Sequence, residues 1–153
     1  SDLQHLKLFK IYGCSEHAVK LGATEFMRDL KSRIEEVINK ESELKFVFYS
    51  GHDTTLAYYL NALKLEPDGA IPYASTLFFE LWETPSGKYY VKTLFNDELV
   101  RLPDCQSMHC PVDAFLDMLD RNSYPSPGEF CHIGDDEKEE LLENLKEELG
   151  VNQ

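Results

Sequence analysis

From residue 24 to residue 40, Phe26, Leu30, Ile34, Val37 and Ile38 recur at helical spacing, while Arg28, Asp29, Lys31, Ser32, Glu35 and Glu36 fall largely elsewhere. That pattern predicts an amphipathic helix whose stripe is core. The period then changes. Leu44-Lys45-Phe46-Val47-Phe48-Tyr49 is a short apolar and aromatic run, which predicts a buried central strand over 45–49. Leu56 to Leu63 returns to helical spacing in good helix formers, so a second helix follows. The turn chemistry of Leu65-Glu66-Pro67-Asp68-Gly69 is expected to end it.

Upstream, Leu6 to Gly13 is apolar with a glycine stop and is expected to be the tail of an earlier element, with 14–22 a loop leading into the first helix. Downstream, Ile71-Pro72-Tyr73 is expected to be a rigid extended approach. Ser75 to Glu83 and Lys88 to Phe95 are β-rich runs separated by Thr84-Pro85-Ser86-Gly87, a β-hairpin with a short loop. Glu80 in its first strand belongs either to a buried polar network or to a solvated face; the alternation of sides along a strand favours the latter. Pro111 opens a helix at 112–119 striped by Phe115, Leu116 and Leu119, and Ser123 to Gly128 breaks it. Residues 135–150 read as an acidic helix with Leu141, Leu142, Leu145 and Leu149 on one side, its early acids complementing the helix dipole. That helix either docks on the domain or meets a partner. The expected division is therefore 1–134 and an acidic amphipathic helix over 135–153, without internal repeats.

With 153 residues the chain is long enough for one domain with a substantial core. A formal net charge of −13 argues against nucleic acid or an anionic membrane as partner. No apolar run approaches the roughly 20 residues of a membrane-spanning helix. Ser1 in place of an initiator Met suggests a start in mid-sequence.

The candidate chemistry lies between the predicted strand and the second helix, in Tyr49-Ser50-Gly51-His52-Asp53-Thr54-Thr55. His52 and Asp53 fall on a strand-to-helix turn, with Gly51 expected to ease the bend. Open α/β sheets bind ligands at the carboxyl ends of their strands, and amides opening a helix favour an anion such as phosphate. A plainer reading fits the same spacing: Asp53 caps the helix and His52 is an exposed loop residue.

The ordered set Ser50-Gly51-His52-Asp53-Thr54-Thr55, Ile71-Pro72-Tyr73-Ala74-Ser75, Phe79-Glu80-Leu81-Trp82 and Leu102-Pro103-Asp104-Cys105 to Cys110-Pro111 resembles the histidine acid phosphatases, over about residues 8 to 131. The last segment departs from the family's Pro-Gly-Cys-x-x-x-Cys-Pro by Asp104 in place of the glycine and one added residue between the cysteines. The resemblance implies an α/β fold, a three-layer arrangement in which a mixed sheet carries helices on both faces. It implies phosphomonoester hydrolysis through a phosphohistidine, without a metal or other cofactor. His52 would bind and charge-stabilise the phosphoryl oxygens; Asp53 would be general acid to the leaving alcohol and then base toward water. That job needs a carboxyl that holds a proton at the working pH, which acidic conditions favour.

The family's nucleophile sits in an Arg-His-Gly-x-Arg-x-Pro motif, and no Arg-His-Gly occurs here. Residues 1–153 are therefore expected to be the C-terminal part of a longer phosphatase, inactive alone, with its N-terminal part as partner. Cys105 and Cys110 resemble the family's disulfide at that place, and Cys131 falls where a late cysteine bonds to the N-terminal part. Both imply an oxidising compartment, lysosomal or extracellular. Cys14 with Cys131 is the other pairing left open, and a zinc site from Cys105, His109, Cys110, Cys131 and His132 is the rival use of these residues. His5, His17, His109 and His132 are assigned to the surface. No Asn-x-Ser/Thr occurs, so no glycosylation signal supports secretion. A homodimer, a non-catalytic assembly module derived from this fold, and a phytase-like inositol phosphate phosphatase are the alternatives. Exposed apolar surface at an uncovered sheet edge is expected in each case where a partner is missing.

Overall fold

A computed structural model describes residues 13, 15–67 and 70–125. The expected N-terminal element over 6–12, the acidic helix over 135–150 and the boundary at 134 lie outside the described residues, as do Cys14, Cys131, His5 and His132.

Helix α1 spans Glu16–Ile38. It starts well before residue 24 because Ser15 is its N-cap, accepting from the Ala18 N–H at 3.4 Å, with Glu16 in the first turn complementing the dipole. The loop expected over 14–22 is therefore largely helix. Gly22 permits a close approach: a Cβ there would stand 2.5–2.8 Å from the Tyr58 ring. The buried stripe is Val19, Ala23, Met27, Leu30 and Ile34, longer than the one read from the sequence.

Helix α2 spans Asp53–Ala62 and packs on α1. Both helices end in the same way. Past α1, the Glu41 N–H donates to Glu36 O and the Lys40 N–H to Val37 O; past α2, the Leu65 N–H donates to Leu60 O and the Lys64 N–H to Asn61 O. These are Schellman motifs with a lysine at the left-handed position, Lys40 at φ 60° and Lys64 at φ 54°. Helix α2 thus ends at Leu63 and Lys64, before the turn residues expected to stop it. The approach expected to be extended holds a turn at Tyr73–Ala74, with Ala74 at φ 58° and the Ser75 hydroxyl donating to Pro72 O at 2.8 Å.

Strands β1 (Leu77–Glu83) and β2 (Tyr89–Phe95) form the expected hairpin, antiparallel in the register Glu83↔Tyr89 to Leu77↔Phe95. Gly87, at φ 77°, supplies the left-handed residue of its loop. A third strand, β3 (Glu98–Val100), returns against β2 through Asn96 and Asp97, both at positive φ. That is the two-residue hairpin turn whose twist matches the strands. Strand β4 (Cys110–Pro111) pairs with the other end of β2 and runs directly into helix α3 (Val112–Arg121).

The chain is α/β, as the resemblance implies. Among the described residues every ladder is antiparallel. Val91 is buried with Phe115, Met118, Leu119 and the α1 stripe, and Phe79 and Leu81 pack against that core. The alternate positions Phe78 and Trp82 are exposed, and Glu80 lies on this solvated face, accepting from Trp82 Nε1 at 2.9 Å. Lys31 Nζ and Asp120 Oδ2, 2.6 Å apart, join α1 to α3.

The strand expected over 45–49 is the main departure. The stretch has no ladder partner among the described residues, and Phe46 and Phe48 are 69% and 77% exposed. Its residues have strand chemistry, but a strand exists only through hydrogen bonds to a neighbour, and the antiparallel sheet does not extend to it. The exposed apolar surface expected for a missing partner is present, led by these two rings with Tyr73, Trp82 and Met108.

Lysine in the left-handed region carries a Cβ–carbonyl penalty that glycine lacks. Lys40→Gly is expected to raise stability by about 0.5–1 kcal/mol after the extra chain entropy of glycine is subtracted. Denaturant titration should show a higher midpoint at unchanged slope.

Candidate active site

The site is built on the start of α2. His52 is the N-cap, with extended backbone at φ −101° and ψ 172°, and its N–H donates to Thr55 Oγ1 at 3.2 Å. Asp53 is the first helical residue, so capping falls to the histidine and not to the aspartate. The Asp53 carboxylate accepts from the Thr54 N–H at 2.8 Å, which uses part of the amide end that an external anion would otherwise take. Both side chains are exposed. Gly51 is not in the left-handed region, so its value is not an eased bend: a Cβ there would stand 3.1 Å from the Thr55 side chain.

The turn is fixed to α1 by aromatic contacts. Tyr49 meets Phe26 edge-on, ring centroids 5.3 Å apart, and Tyr59 of α2 stacks on the same Phe26 at 4.0 Å. The Tyr49 hydroxyl donates to Asp29, and Arg33 Nε donates to Asp29 Oδ2 at 2.8 Å and to the Tyr49 oxygen at 3.1 Å. The hydrogen bond from Arg33 holds the Asp29 carboxyl below the usual carboxylate range, against partial burial, with the Tyr49 hydroxyl helping. Burial, then donation to Asp29, pushes the Tyr49 phenol up, so it remains a hydrogen-bond donor. Sequence reading placed Tyr49 in a strand and Asp29 off the apolar stripe of α1, and gave Arg33 no place. Helical spacing of 29 and 33 signals their ion pair, but nothing in it points to residue 49.

No arginine of the chain bonds His52 or Asp53 among the described residues. Arg28 donates to the carbonyls of Tyr124 and Pro125, Arg33 to Asp29, Arg101 to Cys105 O, and Arg121 to Asp104.

Cys105 and Cys110 form a disulfide with Cα atoms 5.2 Å apart. The pairing implied by the resemblance is present, and these two thiols are not free to ligate zinc. His109 instead packs edge-on against Tyr90, and among the described residues no three His, Cys, Asp or Glu converge on a metal position. His17 has a contact beyond a surface role: its Nδ1 hydrogen-bonds the Tyr124 hydroxyl, clasping the chain after α3 onto α1.

The sequence of residues 1–96 matches the model of the histidine phosphatase superfamily (branch 2). Counting factor 60 of Dictyostelium discoideum is 28% identical over 112 residues, covering 73% of this chain and 27% of its own length. Lysosomal acid phosphatase of Bos taurus is 32% identical over 121 residues, 75% of this chain and 28% of that protein. Human 2-phosphoxylose phosphatase 1 is 27% identical over 150 residues, 83% and 31% respectively. The chain thus spans under a third of the length of these relatives.

The depressed Asp29 carboxyl fixes the sign of a pH effect. A folded pKa below the unfolded one, about 3.9 for aspartate, adds stability that is complete above the unfolded value and lost as pH falls through the folded one. The destabilisation caused by Asp29→Asn is expected to be the same at pH 7 and pH 5 and to shrink only below about pH 4. Parallel denaturant titrations of both proteins at pH 7, 5 and 3 would check it.

Proposed function

The chain belongs to the histidine phosphatase superfamily (branch 2), and from that premise we propose that it is the proton-donor-bearing part of an acid phosphatase that hydrolyses phosphomonoesters. The observation that carries the reading is the placement of His52 and Asp53 as N-cap and first residue of α2. Both are solvent-facing, at the end of an extended segment. Relatives named lysosomal acid phosphatase support the reaction class.

In the first half-reaction an imidazole nitrogen supplied by an Arg-His-Gly segment outside this sequence attacks phosphorus. The P–O bond to the leaving group breaks as the Asp53 carboxyl gives its proton to the departing oxygen. In the second, the Asp53 carboxylate takes a proton from water, the water oxygen attacks phosphorus, and the P–N bond breaks to return the imidazole and release phosphate. His52 hydrogen-bonds the phosphoryl oxygens, whose charge it helps to offset. No cofactor enters this scheme. By itself the chain lacks the nucleophile and is inactive. The Cys105–Cys110 disulfide supports an oxidising location, lysosomal or extracellular.

The open aromatic segment over 44–49 supports the partner in this reading. Its occupant is a strand from the rest of the phosphatase, pairing with the backbone of 45–49 and covering Phe46 and Phe48. The competing reading, a non-catalytic assembly module, draws on the same exposed surface and needs no chemistry at His52.

Two measurements decide between them. In the phosphatase that contains this chain, Asp53→Asn is expected to lower kcat by about 10²–10⁴-fold, the scale of a lost general acid, while a phosphate analogue still binds. An unchanged rate would remove the assigned role. Intact mass of protein from its natural source, before and after reduction, addresses the partner. A species larger than 17.6 kDa in either state supports the phosphatase reading; 17.6 kDa in both favours the module.

A further inference from the structure

We propose that Tyr49, held by Asp29 and Arg33, is a positioning residue that sets where Asp53 and His52 stand; this rests on the phosphatase reading above. Tyr49 ties the segment before the turn to α1. From Glu43 to Gly51 no backbone–backbone hydrogen bond is donated among the described residues, and Phe46 and Phe48 face solvent. Displacements of about 1 Å at a reacting group cost about a hundredfold in rate, so a tether four residues before Asp53 bears on turnover.

Tyr49 is fixed to α1 in two ways. Its ring edge sits on Phe26. Its hydroxyl donates to Asp29 while accepting from Arg33 Nε, which is itself paired with the same carboxylate oxygen. The hydroxyl is therefore located from both sides by residues one turn apart on a long helix, which is as rigid a base as this chain offers. The opposite side of the turn is pinned to the same ring, because Tyr59 stacks on Phe26 at an interplanar angle of 15°. One phenylalanine of α1 thus fixes the chain four residues before Asp53 and six residues after it. The tether touches neither substrate nor reacting atom, so its effect is on position alone.

The hydroxyl network is also suited to acidic surroundings. The groups facing Tyr49 are Asp29 and Arg33 on α1 and the uncharged rings of Phe26 and, through it, Tyr59. The hydrogen bond from Arg33 holds the Asp29 carboxyl below the usual carboxylate range, so the pairing extends further into acid than a free aspartate would allow.

The test uses Tyr49→Phe, which deletes the hydroxyl and keeps the ring, beside Asp53→Asn, in the phosphatase that contains this chain. Steady-state hydrolysis of p-nitrophenyl phosphate and hydrogen exchange at the His52 and Leu56 amides are measured on the same samples. The expected result is a kcat about tenfold lower at a KM within twofold, with exchange at His52 about fivefold faster and an unchanged denaturation midpoint. A general loss of packing would instead lower the midpoint and move KM with kcat. If Asp53→Asn abolishes turnover and Tyr49→Phe leaves both kcat and His52 exchange within twofold of the parent, the positioning role is overturned. If Asp53→Asn has no effect, it is the phosphatase reading that fails. The exchange rates then decide alone whether Tyr49 fixes the turn: faster exchange in Tyr49→Phe sustains the tether, and unchanged exchange overturns it.

Discussion

Two adjoining faces of α1 hold the described residues together. One face, Val19, Ala23, Met27, Leu30 and Ile34, is buried in one core with the end of α2, α3 and the inner side of the sheet. The neighbouring face, Phe26, Asp29 and Arg33, carries the chain on either side of the candidate site. The same rigid rod that organises the core therefore also sets the turn bearing His52 and Asp53. Changes that shift α1 reach the site without passing through the sheet. The Lys31–Asp120 pair and the clasp of His17, Thr24 and Arg28 on the chain at Tyr124 fix the far side of this rod in the same way.

The elements that could be read from the sequence are those whose cause is local. The stripe of α1, the β1–β2 hairpin and α3 each bury a face whose period is written in their own residues. The start of a helix at His52–Asp53 was also legible, because a short apolar and aromatic run gives way to helical spacing there. Local signals that were present and passed over account for the smaller differences. Ser15 followed by Glu16 marks the start of α1, and Asn96–Asp97 between β-rich runs marks the β2–β3 turn. Lys40 and Lys64 gave no warning, since nothing in a lysine announces the left-handed conformation.

The segment over 44–49 shows a different kind of limit. Its composition is that of a buried strand, and composition reports what a stretch is suited for, not whether its partner is at hand. Two aromatic rings left 69% and 77% exposed are an expensive arrangement for a protein in water. Either an adjacent surface covers them or the molecule carries a strong tendency to associate. Tyr49 is the exception within the run because its partner, α1, lies in the same described unit.

Charge leads to the same place from another direction. The chain carries −13, and none of its four arginines is bonded to His52 or Asp53 among the described residues: Arg28, Arg101 and Arg121 bond elsewhere, and Arg33 reaches only Asp29 and the Tyr49 hydroxyl. An acidic protein with one histidine facing the site is a poor host for a phosphoryl group, whose charge grows on its oxygens as it transfers. The deficit of positive charge and the excess of uncovered apolar backbone lie at opposite ends of one short extended segment. On the phosphatase reading a single neighbour meets both needs. A strand laid parallel to 44–49 would cover Phe46 and Phe48, and its own carboxyl end would arrive beside His52, where open sheets gather their ligand-binding groups. A neighbour bound elsewhere, on the exposed face of Phe78 and Trp82 for instance, would leave the segment open and the site short of cations. The physical economy of one partner serving both defects is what favours placing it along 44–49.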